Sequence, residues 1–386
     1  MPVSCMDALV GEPASAVAIA AKRLILSGML SSPIISSASS LNTDEIYMHR
    51  CLELALRGMG FVAPNPMVGA VLVYQGRIIG EGYHQHYGQA HAEVNCLQSV
   101  KKEDEPLVTE SVLYVSLEPC AHHGKTPPCA DLIIQKRIPK VVVGCRDPFP
   151  RVDGKGIEKM RSAGIEVLTG VLETACRDIN KRFLTFHTLH RPYIIVKWAQ
   201  SADGRMASAD RSRLSISHPL TNRLVHKWRS EESSILVGTN TALFDDPALT
   251  TRLWKGPDPI RIVIDMDLRL PSSLQLFDHQ VKTIVFNARL HDEQPNLLYY
   301  QVTRDVSLVP QLLQALRHMN ILSILVEGGP SLLQSFIDED SWDEARIISN
   351  ETMTIGNGIP APSLPGLQSV GGERIATDSI RYFRRS

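Results

Sequence analysis

The stretch that decides the reading of the first half runs from His91-Ala92-Glu93 to Glu118-Pro119-Cys120-Ala121-His122-His123-Gly124-Lys125-Thr126-Pro127-Pro128-Cys129. One imidazole and two thiols, from His91, Cys120 and Cys129, make three good zinc ligands. Three protein ligands leave the fourth tetrahedral position open to water, the pattern of a catalytic zinc rather than a structural one. Zinc lowers the pKa of such a water to roughly 7. Glu93, two residues past the ligand, then has the place of a proton shuttle that does not bind the metal. A structural zinc would need a fourth protein ligand, for which His122 and His123 are the near candidates. Taken singly, His-x-Glu is common and a lone Cys is usually a small buried hydrophobe. The pieces in this order carry the catalytic reading.

His-x-Glu followed by Pro-Cys-x-x-Cys is the signature of zinc deaminases; here the second pair is Cys-x8-Cys, with a Pro-rich insert placed to touch a substrate. Working outward, Asp44 is a candidate cap for a helix carrying Ile46, Met48, Cys51, Leu52, Ala55 and Leu56. Val68–Val73 reads as a buried strand and Gln75-Gly76 as the turn of a hairpin. Glu93–Gln98 is predicted helix, Val112–Leu117 strand, Ala130–Lys136 helix, Lys140–Gly144 strand and Gly164–Leu168 strand. The alternation predicts a mainly parallel sheet covered by helices. A helix over Glu173–Phe186 then runs to Pro192, which puts a domain boundary near residue 190.

The second half starts again with the strand Tyr193–Ala199, the helix Pro219–Ser230 and the strand Ser234–Gly238. Further strands are predicted at Ile260–Asp265, Thr283–Phe286 and Ser323–Val326, with a helix over Val309–Met319. Glu327-Gly328-Gly329-Pro330-Ser331 joins the last strand to a helix, a turn whose free N–H groups suit an anion, although such turns often serve packing alone.

At 386 residues the chain is long enough for two ordinary domains. A net charge of −1 gives no footprint for nucleic acid and no polybasic signal for a membrane surface, and no apolar run has membrane length. Cys5, Cys51, Cys96, Cys120, Cys129, Cys145 and Cys176 show no disulfide-scaffold spacing, so a reducing, cytoplasmic setting is expected. Residues 1–43 are Ser-rich towards their end. Asp7 and Glu12 precede Lys22 and Arg23, and the apolar patch behind them is short, so this segment reads as a poorly ordered extension rather than a targeting peptide. The expected domains are thus 44–190 and 191–386.

With Asn65-Pro66, His84, His91-Ala92-Glu93 and Glu118-Pro119-Cys120 to Cys129 in order, the first half resembles the bifunctional riboflavin-biosynthesis deaminase/reductase of bacteria. The second half resembles the reductase of that family. The residues that carry it are Lys197, Ser201–Arg205, Ile235–Gly238, Thr241, Asp245–Thr250 with Arg252, Arg261–Asp265 and Val326–Gly329. The resemblance implies an α/β protein, a cytidine-deaminase-like domain followed by a dihydrofolate-reductase-like one. It implies deamination of a phosphoribosylated diaminopyrimidinone with one zinc ion, then NADPH-dependent opening of the ribose to a ribityl chain.

The resemblance also implies site residues: His91, Cys120 and Cys129 on zinc, Glu93 as proton shuttle, and Asn65, His84 and Lys125 on the substrate of the deaminase. In the reductase it implies Ala199, Thr241, Asp245, Gly329, Pro330 and Ser331 on NADPH, and Arg229, Leu249, Arg252 and Glu327 on substrate. The two arginines suit phosphate by their bidentate fork. The partner is then a small phosphoribosyl pyrimidine, with no nucleic acid and no membrane, and a homo-oligomer is left open. Three departures stand out: Arg213 and Ser215 where the family often has Ser and Trp, Met266 after the Ile-Val-Ile-Asp strand, and Arg346–Glu351 with Gly356-Asn357-Gly358 in place of an apolar strand and a Gly-Gly turn. They motivate a second reading, a working deaminase fused to a silent reductase-like domain. A nucleic-acid deaminase is a third, disfavoured by charge and by the lack of a basic, aromatic stripe.

Overall fold

Helix α1 (Thr43–Ala55) is capped by Asn42, whose Oδ1 accepts from Asp44 N at 3.3 Å, and not by Asp44. Asp44 instead accepts from the Tyr114 hydroxyl at 2.7 Å, tying the helix to a strand 70 residues on. The computed structural model describes residues 42–122, 127–149, 152–210, 214–364, 366 and 368–385. The expected extension over 1–43 therefore lies outside the described residues, apart from 42 and 43.

Strands β1 (Gly69–Tyr74) and β2 (Arg77–Tyr83) form the expected hairpin. Gln75 and Gly76 both take positive φ, 45° and 81°, as a two-residue turn matched to strand twist requires. From β2 the chain crosses over through α2 (Ala92–Gln98) to β3 (Val112–Leu117), leaving β1 between them. Strands β4 (Lys140–Cys145) and β5 (Glu166–Thr169) follow, and the order is β2-β1-β3-β4-β5. Because β1 is antiparallel to both neighbours, this sheet is mixed rather than mainly parallel. Alternation assigns its two faces. Ala70 and Leu72 pack with Cys96, Ile133 and Met160, whereas Val71 and Val73 pack under α1 with Met48 and Leu52. Helices α3 (Cys129–Gln135) and α4 (Lys155–Ser162) complete the first of these layers.

The helix expected over Glu173–Phe186 is broken into α5 (Glu173–Ile179) and α6 (Lys181–Thr188). Asn180 stands at the break because its side chain is used elsewhere. Its Oδ1 accepts from Met67 N at 2.8 Å and its Nδ2 donates to Met67 O at 2.9 Å. Apolar periodicity alone does not register that demand.

In the second half β6 (Tyr193–Ser201), β7 (Arg205–Ser208), α7 (Pro219–Glu231), β8 (Ser234–Gly238), α8 (Thr239–Asp245), β9 (Ile260–Ile264) and β10 (Thr283–Asn287) follow in turn. After them come β11 (Asp292–Gln294), β12 (Leu297–Gln301), α9 (Leu308–His318), β13 (Ser323–Val326), α10 (Pro330–Asp338) and β14 (Glu344–Asn350). The chain ends through β15 (Gly358–Pro360), β16 (Gly371–Ile375) and β17 (Asp378–Arg384). Ten strands make one sheet, β11-β12-β10-β9-β8-β13-β6-β14-β17-β16, parallel from β12 to β14 and antiparallel at both edges. Strands β7 and β15 pair separately.

The polar run at Arg346–Glu351 is thus no interruption: most of it forms β14, in register with β6. Arg346 is accommodated by lying 4.9 Å over the Trp228 ring and by pairing with Glu344 at 2.7 Å. Of the other departures, Arg213 lies outside the described residues, Ser215 is exposed, and Met266 packs against the main core of this half.

The halves meet along α6. Lys181 pairs with Glu344 at 2.6 Å, Arg182 grips both oxygens of the buried Glu232, and Arg384 reaches back to Asp178 at 2.8 Å. Beside these ions, Phe183, Leu184 and Phe186 pack with Leu322. No helix among the described residues is long and apolar enough to cross a membrane.

Candidate active sites

His91 is the residue before the first turn of α2, in extended conformation (φ −73°, ψ 168°), so its ring turns away from the helix towards the end of β3. Helix α2 lies directly on β2 because Gly82 has no side chain: a Cβ there would stand 2.2 Å from Cys96 N. Cys120 follows β3 and Cys129 starts α3. Their sulfurs lie 3.6 and 3.4 Å from His91 Nδ1, and Cys129 N donates to Cys120 Sγ at 3.3 Å. Three strand and helix ends so bring three donors within 4.8 Å of one another.

That set fits a zinc ion. The Cys129 thiol hydrogen bond, helped by His91, holds Cys120 down at about 4, while the nearby Cys120 sulfur and burial push Cys129 well up. The pair behaves as two thiols sharing one proton. A divalent cation relieves that conflict and lets both ionise. Among the described residues no fourth ligand joins the cluster, which weighs against a structural zinc. His122 is not part of it, although its Nδ1 is buried without a partner; His123 and Lys125 lie outside the described residues.

Glu93 is only 3% exposed, and burial raises its carboxyl above the ordinary range. A carboxyl so shifted takes and returns a proton more readily near neutrality. His84 stands edge-on to His91, with ring centroids 5.4 Å apart. Its Nδ1–H donates to Ala90 O at 3.0 Å, which leaves Nε2 to accept from Asn65 Nδ2 at 3.0 Å. Burial lowers its pKa, so the ring is neutral. Asn65 and His84 are therefore brought together beside the metal ligands.

Glu118, the first residue of Glu-Pro-Cys, is buried and accepts from four backbone N–H groups, those of Asp147, Gly154, Gly156 and Ile157, at 3.0–3.3 Å. It fixes the loop behind Cys120. Neither this task nor that of Asn180 was assigned from sequence, because each partner is a backbone group distant in the chain.

In the second half Glu327 directly follows β13 and lies between two cations. Arg229 of α7 forks onto it at 3.1 and 2.9 Å, and Lys197 of β6 stands 3.5 Å away. Although burial opposes ionisation, Arg229 and then Lys197 hold Glu327 down at about 2. Arg229 also donates to Thr250 O at 3.4 Å. Leu249 turns its side chain into the core with Ile235 and Val263, through a left-handed backbone (φ 54°). Arg252 is exposed.

The third residue missed in the sequence is His226, one helical turn before Arg229. It is buried, with Nδ1 unpartnered, and burial followed by Arg229 and Arg252 pushes it down to about 4. The i, i+3 spacing that puts both side chains on one helix face was the available signal.

The Gly-rich turn faces α8. A Cβ at Gly329 would stand 3.4 Å from Thr241 Oγ1, so the pair frames a gap of one small group at the start of α10. Pro330 is its first residue, Ser331 is exposed, Asp245 closes α8, and Ala199 is half-buried on β6. A phosphate-bearing dinucleotide fits such a turn, where free N–H groups and the helix start favour negative charge.

Residues 41–145 match the cytidine and deoxycytidylate deaminase zinc-binding region, and residues 192–379 match the RibD C-terminal domain. The riboflavin biosynthesis protein RibD of Aquifex aeolicus is 36% identical over 357 residues, which span 89% of this chain and 98% of that protein. The chain belongs to the RibD family. RibD of Escherichia coli is 35% identical over 350 residues, 85% of this chain and 93% of its own. A crystal structure from Thermotoga maritima, described as a diaminohydroxyphosphoribosylaminopyrimidine deaminase/5-amino-6-(5-phosphoribosylamino)uracil reductase, superposes with a TM-score of 0.81 at 37% identity, covering 89% of this chain and 99% of that one.

RibD proteins join a zinc-dependent deaminase to an NADPH-dependent reductase, and this chain carries both halves in that order: a cytidine-deaminase-like zinc domain and a dihydrofolate-reductase-like α/β domain.

Proposed function

We propose that residues 44–190 hydrolyse the 2-amino group from 2,5-diamino-6-(5-phosphoribosylamino)pyrimidin-4(3H)-one, and that residues 191–386 reduce the ribosyl group of the product to ribityl. The observation that carries the reading is the three-donor cluster with a buried Glu93 beside it and a hydrogen-bonded Asn65–His84 pair. His91, Cys120 and Cys129 would hold zinc, which would supply Lewis acidity to a water at the pyrimidine C2. Glu93 takes the proton of that water as the C–O bond forms and gives it to the amino group as the C–N bond breaks, releasing ammonia. The neutral His84, locked in one tautomer, and Asn65 orient the ring; Lys125 serves the phosphoribosyl arm.

In the reductase the C1′–O4′ bond opens and O4′ takes a proton from solvent as C1′ takes the hydride that bound NADPH would supply. Thr241, Asp245, Ala199 and the turn Gly329-Pro330-Ser331 hold the cofactor. Glu327, kept ionised by Arg229 and Lys197, accepts from substrate hydroxyls; Arg252 faces the phosphate, whereas the fork of Arg229, expected to serve phosphate as well, is taken up by Glu327 and Arg229 supports the substrate through it. Leu249 shapes this site through its backbone. The unpaired cysteines Cys51, Cys96, Cys145 and Cys176 accord with a cytoplasmic setting.

The test is removal of the metal from the purified chain. Ammonia release should stop and return with zinc, while reduction of pre-deaminated substrate continues throughout. Ammonia release that survives metal removal overturns the reading.

A further inference from the structure

Between the halves lies a cleft of about 170 Å³ that belongs to neither site described above. Its floor is a close backbone contact. A Cβ on Gly60 would stand 2.3 Å from Ser230 O, so the first half rests directly on the end of α7; within the second half, a Cβ on Gly256 would stand 2.6 Å from Ser230 Cβ. Above that floor two aromatic rings, Phe61 from the first half and Trp254 from the second, are each 42% exposed. Lys227 and Lys255 also line the cleft; Lys227 lies 5.7 Å over the Trp254 ring and 3.8 Å from Glu231. Two lysines against one carboxylate leave the lining cationic. Exposed aromatic rings with cations over or beside them suit a planar heterocycle carrying a phosphate.

The position is as informative as the composition. The Phe61 ring stands edge-on to His86 at 5.2 Å, two residues from His84, and Phe61 is four residues from Asn65. On the other wall Trp254 is two residues past Arg252, and Lys227 and Ser230 flank Arg229 on α7. The cleft is thus walled by the segments that carry the proposed substrate residues of both halves. We infer that it is a third binding site, which holds the phosphorylated, deaminated pyrimidine on its way from the first half to the second. The identity of that occupant rests on the function proposed above.

Trp254 reports on the site. Uridine 5′-monophosphate, added to the full chain, should quench the part of the emission that Trp254→Phe removes. Uridine should bind roughly tenfold more weakly or worse, for want of the lysine–phosphate contact, and Phe61→Ala should weaken the nucleotide roughly 5- to 150-fold. Arg252→Met should leave the quenching in place. No Trp254-dependent signal, equal affinity for uridine and its monophosphate, or loss of the signal in Arg252→Met would each overturn the third site, the last by placing the nucleotide in the reductase. The titration reads binding alone, so its outcome is independent of whether either half turns over.

Discussion

Glu93, the proposed proton shuttle, illustrates how little of such a residue's behaviour lies in its own identity. The carboxyl is shifted by burial, and the helix start that buries it also delivers His91 to the metal cluster. Glu93→Gln keeps shape and ligands but cannot carry the proton, so ammonia release should fall about 10²- to 10⁴-fold with bound zinc unchanged, as a metal assay beside the kinetics would show. Glu327 makes a different prediction. Its carboxyl is held at about 2 against about 4.3 in an unfolded chain, so the stability it contributes is complete above the latter and is lost as pH falls towards the former. Denaturant unfolding between pH 5 and 2 should show a shallower loss in Glu327→Gln than in the native chain. Arg252 is exposed, and Arg252→Met should lower reductase kcat/KM about 10- to 150-fold through its charge-assisted contact with phosphate, leaving ammonia release untouched. The cluster of His91, Cys120 and Cys129 was legible in sequence because metal chemistry fixes residue type and order. Glu118, Asn180 and His226 were not, because what they touch is set by the fold.

At the scale of elements, the period of apolar residues located β1 to β6, β8 to β10 and β13 but missed β7, β11, β12 and β14 to β17, and it showed neither how the strands pair nor where a helix stops. Apolar spacing runs straight through Asn180, yet the helix breaks there to let that amide hold both polar groups of the Met67 backbone. Asn180→Ala leaves those groups buried and unpaired. It should cost about 1–3 kcal/mol of stability by denaturant unfolding and raise the deaminase KM, since the held loop carries Asn65. Strand β14 hid behind its own charges. Arg346 reads as surface in a linear sequence and is buried in the sheet, because Glu344, Glu232 and the Trp228 ring receive it.

On the scale of the whole molecule, the two α/β domains and their order were legible in sequence, but how firmly they are joined was not. The join is made by half-buried cations on buried carboxylates, Arg182 with Glu232 and Lys181 with Glu344, next to a small apolar cluster. Removing one member of such a pair strands the other charge. Arg182→Met should therefore cost about 3–5 kcal/mol, and Arg182→Met with Glu232→Leu should recover most of it, by denaturant unfolding. Each half keeps its own site when the pair is replaced, so both activities should persist in the double variant. The most direct measurement follows ammonia and NADPH together on the purified chain supplied with the phosphorylated diaminopyrimidinone. One NADPH should be oxidised for each ammonia released, with metal removal stopping both and added deaminated substrate restoring NADPH oxidation alone. Steady ammonia release with no oxidation of NADPH would contradict the two-step reading and leave the second half a binding domain.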